Sequence, residues 1–284
     1  MDNSMHLYLK RIVEALERIS PPPPHINNIE AADAFTWSNQ TNTLDPIHTI
    51  DFVEFSLLQG INRQKEILFE NTWHFAKGLP SNNVVLWGAR GMGKSSLVKS
   101  VHQEVNKKLT KSIAPLKIIE IFKDDIHCLP NLLCLLKKLV YRFIIFSDDL
   151  SFEKGEHNYK ALKSILDGGI TGRPSNVLFY ATSNRRHLMP REMIENEANI
   201  SINSIDTIEE KISLSDRFGL WIGFHQCTKE LFNTIVKSYA HQRHLPIDDQ
   251  NLIIKANEWS ITRGARSGRV AWQFIEDLTA KLHS

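Results

Sequence analysis

Residues Gly88 to Ser95 read G-A-R-G-M-G-K-S and fit the spacing G-x-x-x-x-G-K-[ST], a loop whose backbone N–H groups close round phosphate oxygens. Glycines let the chain fold that tightly, and a helix starting near Lys94 adds the positive end of its dipole. Lys94 is placed to pair with β- and γ-phosphates. Ser95 would offer a hydroxyl to Mg²⁺, a cation that takes few protein ligands and keeps several waters. The phosphate cradle therefore comprises Gly88, Ala89, Arg90, Gly91, Met92, Gly93, Lys94, Ser95 and Ser96. A glycine-rich turn matching by chance would lack the apolar run Val84 to Trp87 that leads straight into it.

Two further segments supply what phosphate chemistry needs. Phe143-Ile144-Ile145-Phe146-Ser147-Asp148-Asp149 is an apolar run ending in paired carboxylates, the expected Walker B partner on a neighbouring strand. Asp148 would hold Mg²⁺ through water, and Asp149 would polarise the attacking water. On its own the pair reads equally as a turn cap. Val177 to Asn184 is an apolar strand with a polar end, where the Asn184 amide is placed to bond a water held against the γ-phosphate. Taken without its neighbours, Asn184 is an ordinary strand exit.

The elements that must carry these residues are legible as periodicity. Five short apolar runs, Val84 to Trp87, Leu116 to Phe122, Phe143 to Phe146, Val177 to Ala181 and Leu220 to Phe224, alternate with connectors of helical length. That alternation predicts an α/β domain with a parallel sheet covered on both faces. After Cys227 the period changes: Leu231, Phe232, Ile235, Val236 and Tyr239 mark one amphipathic helix, Leu252, Ile253 and Ala256 a second, Val270, Phe274, Ile275 and Leu278 a third. At the other end, Leu9, Ile12, Val13, Leu16 and Ile19 recur at helical spacing until Pro21 to Pro24 stop the helix. The segment from Pro21 to about Pro46, rich in Pro, Asn and Thr, reads as a linker. The expected organisation is an N-terminal helix and linker over 1–45, a nucleotide-binding α/β domain over 46–226 and a helical lid over 227–284.

Composition narrows the function classes. A chain of 284 residues, 42% hydrophobic, is long enough for a sizeable core. Its 34 basic and 32 acidic side chains leave +2, too balanced for general nucleic-acid or membrane-surface affinity. Cys128, Cys134 and Cys227 make neither a C-x-x-C pair nor an even set, which argues against a disulfide framework and for a reducing cytoplasm. No long apolar run and no signal-peptide pattern point to a membrane or to secretion. His241 and His244 lack carboxylate or cysteine companions at ligand spacing and read as surface histidines.

The P-loop, the acidic strand end and the polar strand end, in this order and followed by a helical domain, resemble the AAA+ ATPase superfamily from about Asp45 to the C-terminus. The resemblance makes Asn184 the sensor-one residue. Leu214 to Leu220 is similar to the segment before the last sheet strand of the bacterial branch-migration motor, which makes Arg217 an arginine-finger candidate reaching a neighbouring subunit's nucleotide. Gly264 to Ala271 resembles the sensor-two motif, with Arg269 aligning best and Arg266 as the second choice. Leu58 to Lys65 resembles the segment that packs round adenine, mostly through backbone. More narrowly, Asn83 to Ser96, Phe143 to Glu153, Ala181 to Leu188 and Ser213 to Trp221 look like a bacterial family of predicted AAA+ ATPases catalogued as a domain of unknown function. One departure stands out: Asp148-Asp149 occupies the place of the usual Asp-Glu, as in replication-initiator and helicase-loader branches.

The resemblance implies ATP and Mg²⁺ as cofactors, and a homo-oligomer, with a hexamer among the options, that hydrolyses ATP to remodel or load a protein or DNA partner. Two alternatives remain open from sequence: an ATP-dependent switch without turnover, suggested by the short carboxylate of Asp149, and a P-loop small-molecule kinase. Arg185-Arg186-His187 adds a basic cluster suited to phosphate or nucleic acid, at the head of an aperiodic stretch that runs to Asp206.

Overall fold

The computed structural model of the chain describes residues 3–19, 28–152, 162, 163, 166, 173–185, 188 and 217–283. Within them the expected α/β build is present, with a seven-stranded sheet at its centre. In chain order the elements are α1 (Asn3–Ile19), β1 (Ala34–Ser38), β2 (Thr43–Ile47), α2 (Asn62–Ala76), β3 (Val84–Gly88), α3 (Lys94–Lys108), β4 (Lys117–Glu120), α4 (Leu129–Leu136), β5 (Phe143–Ser147), β6 (Val177–Ser183), β7 (Leu220–Phe224), α5 (Lys229–Gln242), α6 (Asp249–Thr262) and α7 (Gly268–His283). The sheet runs β2-β1-β4-β5-β6-β3-β7, parallel throughout except for the antiparallel edge pair β1–β2.

Alternation along each strand builds two apolar layers, because successive side chains leave opposite faces. Val85, Ile119, Ile145 and Phe179 point into one layer. Val84, Leu86, Ile118, Ile144 and Leu178 point into the other, against α2 and α3. A third core, around Phe232, Val236, Ala256, Ala271 and Ile275, holds α5, α6 and α7 together. The side chains of Leu9, Ile12, Val13 and Leu16 on α1 are exposed.

Two expectations are corrected. Residues 34–47, assigned to a linker, form the β1–β2 hairpin and extend the sheet, with β1 parallel to β4. Phe35, Trp37 and Leu44 are buried in the first apolar layer, so three large side chains repay the ordering of this polar segment. Pro46 is tolerated because β2 is the sheet edge, where a missing N–H leaves no ladder bond unmade. The second correction concerns β5, which carries the paired aspartates. It is not the neighbour of the P-loop strand β3; β6 lies between them.

The P-loop helix α3 is anchored at its far half. His102, fully buried, donates from Nε2 to the Leu116 carbonyl at 2.8 Å, and Asn106 brackets Leu116 through both its N–H and its C=O. Burial lowers the His102 pKa to about 4 from 6.5. An unfolded imidazole takes its proton near pH 6.5, so folding stability is intact above that pH and falls as pH drops towards 4, by about 3 kcal/mol from this group. Denaturant titrations at pH 7 and 4.5 should show His102→Gln, which keeps a donor towards Leu116, losing less stability than wild type over that interval; equal losses would assign acid sensitivity elsewhere.

Candidate functional site

The glycine-rich loop starts at the C-terminal end of β3, where Gly88 leads into it and Gly93 caps α3 in the left-handed region at φ 86°. Gly91 is also left-handed, at φ 70°, and a Cβ there would sit 2.7 Å from Ser267 Oγ, so this glycine lets the helical domain close on the loop. The loop and the start of α7 are joined by the Arg269 N–H donating to the Gly91 carbonyl at 3.2 Å.

A cleft of about 980 Å³ opens between the sheet and the helical domain. Its polar end is lined by Arg90 to Ser96 of the loop with Asp148, Asp149, Thr182 and Asn184. Its other end is lined by Val53, Leu58 and Ile61 from before α2 and by Ile235, Tyr239 and Trp272 from the helical domain. One end thus suits a polyanion and the other a flat apolar group, a mixed lining typical of small-molecule sites.

Lys94 is buried, and its Nζ donates to the carbonyls of Gly88 and Ala89, both at 2.9 Å, and to Asn184 Oδ1 at 3.0 Å. Burial lowers the pKa of this ammonium and the nearby Arg269 and Arg90 push the same way, while the charges of Asp149 and Asp148 oppose the shift. Asn184 hands the contact on, donating from Nδ2 to Asp149 Oδ1 at 2.5 Å. On the other aspartate, Ser95 Oγ donates to Asp148 Oδ1 at 2.5 Å, and Thr182 Oγ1 donates to the same oxygen. Asp149 itself is left-handed at φ 51°, its N–H held by Thr182 Oγ1 at 2.9 Å.

The expected residues on β3, β5 and β6 therefore converge in one place. Among the described residues no group of three or more His, Cys, Asp or Glu side chains could hold a metal alone. The donors present, a hydroxyl and a carboxylate side by side, are the hard oxygens Mg²⁺ uses when phosphates and water complete its shell. Of the two sensor-two choices, Arg269 lines the cleft, whereas Arg266 faces a separate pocket with Cys227 and Gly264. Arg217 lies just ahead of β7 and does not line the cleft of its own chain. Arg185 lines a further pocket with Trp87 and His225; Arg186, His187 and the stretch 189–206 lie outside the described residues. Sequence reading passed over Thr182, whose only signal was a polar residue closing an apolar strand. It also passed over Tyr239, read only as helix periodicity, and Trp272.

The profile of a family described as "Protein of unknown function (DUF815)" matches residues 30–282. The chain belongs to this family. Among the described residues of the DUF815 chain, the mostly parallel sheet with its glycine-rich loop and the helical C-terminal region form the α/β-plus-helical build that the sequence predicted. No curated protein matches the sequence. Among solved structures, the chain is similar to the RuvB Holliday junction branch migration motor of Thermotoga maritima, at 14% identity over 78% of this chain and 72% of that one, with a TM-score of 0.42. It is also similar to the ORC2 protein of Aeropyrum pernix, at 13% over 79% and 72% with 0.49, and to ORC1 of the same organism in complex with DNA, at 15% over 83% and 71% with 0.45. No helix of the described residues is long and apolar enough to cross a membrane. The cysteines are free.

Proposed function

We propose that this chain binds ATP with Mg²⁺ in the cleft and hydrolyses it as a homo-oligomer, and that turnover drives the remodelling or loading of a protein or DNA partner. The observation that carries the reading is the continuous contact from Lys94 through Asn184 to Asp149, beside the Ser95–Asp148 pair. A cation for the phosphates, a metal-binding pair and a carboxylate for water then stand within one hydrogen-bonded set.

In this reading the N–H groups of Gly88 to Ser96 receive the phosphate oxygens and Lys94 bridges the β- and γ-phosphates. Ser95 and Asp148 hold Mg²⁺, which when bound neutralises charge on the transferred phosphoryl. Asp149 orients and takes a proton from the attacking water, and Asn184 fixes Asp149 on one side and Lys94 on the other. Arg269 contacts the nucleotide from the helical domain. Arg217, which does not line the cleft of its own chain, serves the neighbouring subunit's site. The partner class and the ring, with a hexamer as the form to look for, rest on the motif resemblance. A cytoplasmic location goes with three free cysteines.

A second reading, an ATP-dependent switch without turnover, draws on the close Asn184–Asp149 bond, which occupies one oxygen of a short carboxylate. Phosphate release by the purified chain separates the two. On the hydrolytic reading, Asp149→Asn lowers release by about 10²–10⁴-fold while ATP binding is retained; release at background in the wild type, at saturating ATP and Mg²⁺, would leave the switch.

A further inference from the structure

Thr182 is almost fully buried at the end of β6, the strand inserted between the P-loop strand and the strand carrying the aspartates. The parallel register pairs Leu86 of β3 with Thr182, and pairs Ser147 of β5 with Ala181, so Thr182 stands level with the first residue past β5, Asp148. From there it makes three contacts with the aspartate turn. Its hydroxyl donates to Asp148 Oδ1, its Oγ1 accepts the Asp149 N–H at 2.9 Å, and its carbonyl accepts the Leu150 N–H at 2.7 Å.

These contacts set two orientations at once. Asp148 Oδ1 accepts from the hydroxyls of both Thr182 and Ser95, which turns the carboxylate towards the Ser95 side of the cleft. Asp149 sits in the left-handed region, a conformation that an L-residue adopts seldom and needs neighbours to hold. Its N–H is held by the Thr182 hydroxyl, and that bond fixes where the side chain starts its reach towards Asn184.

We propose that Thr182 is a positioning residue for the nucleotide site: one hydroxyl, donating to Asp148 and accepting from the Asp149 backbone, aligns the metal-binding carboxylate and the water-orienting carboxylate together. It acts through the two aspartates. The proposal rests on the reading of this cleft as a Mg²⁺–ATP site. A hydroxyl is needed here because no other group of threonine's size both donates to a carboxylate and accepts an amide. Valine keeps the shape and loses both bonds; serine keeps both bonds and loses the methyl.

The test compares wild type, Thr182→Val and Thr182→Ser as full-length chains, after thermal melts identify folded protein. Two quantities are read: phosphate release against Mg²⁺ concentration, and the affinity for a fluorescent ATP analogue with Mg²⁺ and with EDTA. For Thr182→Val the expectation is a fall of about 10²-fold in kcat, the scale set by misplacing a reacting group by about 1 Å. The Mg²⁺ concentration for half-maximal release should rise several-fold, and affinity in EDTA should stay at the wild-type value. Thr182→Ser should recover kcat and the Mg²⁺ midpoint to within a few-fold of wild type. Equal impairment of Val and Ser, or a Val variant with wild-type kcat and Mg²⁺ midpoint, would overturn the proposal. Should Thr182→Val fail to fold, Thr182→Ser together with Thr182→Cys decides it: Cys has a weak donor and should show the Mg²⁺ defect, Ser should not. If wild type releases no phosphate, hydrolysis itself fails, and the gain in analogue affinity on adding Mg²⁺ judges Thr182 alone; an equal gain in wild type and Val would overturn its role.

Discussion

Lys94→Ala should abolish measurable phosphate release, a loss of about 10³-fold or more, and weaken ATP binding. The magnitude follows from removing a buried, preorganised ammonium, since single neutral donors in preorganised sites are already worth about 10²–10³ in rate. Lys94 is buried and held by the Gly88 and Ala89 carbonyls and by Asn184, so the ammonium is in place before nucleotide arrives. Its truncation also removes the cation that faces Asp149 across Asn184, so the water-orienting side of the site is disturbed with the phosphate side. Release assays and equilibrium binding of a fluorescent ATP analogue check both effects. Turnover within a few-fold of wild type would mean that the chemistry is performed outside this cleft.

The other large effect concerns Arg217. A guanidinium delivered from outside a phosphoryl-transfer site is worth about 10³–10⁵ in kcat, so Arg217→Ala should lose at least about 10³-fold while binding ATP as tightly as wild type. If Arg217 serves a neighbouring subunit's site, as proposed, the loss should be complementable. Mixed with Asp149→Asn, which keeps its Arg217 but lacks a working carboxylate, the Arg217→Ala chain supplies intact Lys94, Asp148 and Asp149 to a site whose arginine comes from the other variant. Titrating one inactive protein into the other should therefore restore part of the activity, passing through a maximum at an intermediate ratio. Activity that stays at the level of the separate variants at every ratio would exclude service in trans.

Chemistry was more legible in the sequence than connectivity. The P-loop, the paired aspartates and Asn184 were readable because each follows an apolar run by a fixed offset, and the fold brings all of them to one cleft. Arg269 was readable only as one of two arginines, since both lie near the start of α7; in the structure Arg269 lines the cleft and Arg266 a separate pocket. What stayed hidden depends on pairing between distant segments. The β1–β2 hairpin contributes Phe35, Trp37 and Leu44 to the core, but its polar turn and Pro46 mask that alternation, and its place beside β4 has no local signature. The insertion of β6 between β3 and β5 was equally invisible, and with it the reason Thr182 reaches both aspartates. Tyr239 and Trp272 escaped notice because residues of an amphipathic helix look alike in sequence whether they face a core or a ligand.

The bond between the Arg269 N–H and the Gly91 carbonyl, with Ser267 packed where a Gly91 side chain would be, ties the glycine-rich loop to the helical domain. A ligand gripped from both sides favours the closed arrangement by as much as closure favours the ligand, and this reciprocity holds whatever the route between them. Anything that locks α5 to α7 against the sheet must therefore raise nucleotide affinity by the same factor by which nucleotide raises the affinity for the locking agent. On the proposed reading of the cleft, the helical domain would report nucleotide occupancy, and a partner that engages its outer surface would sense whether the cleft is filled without touching it.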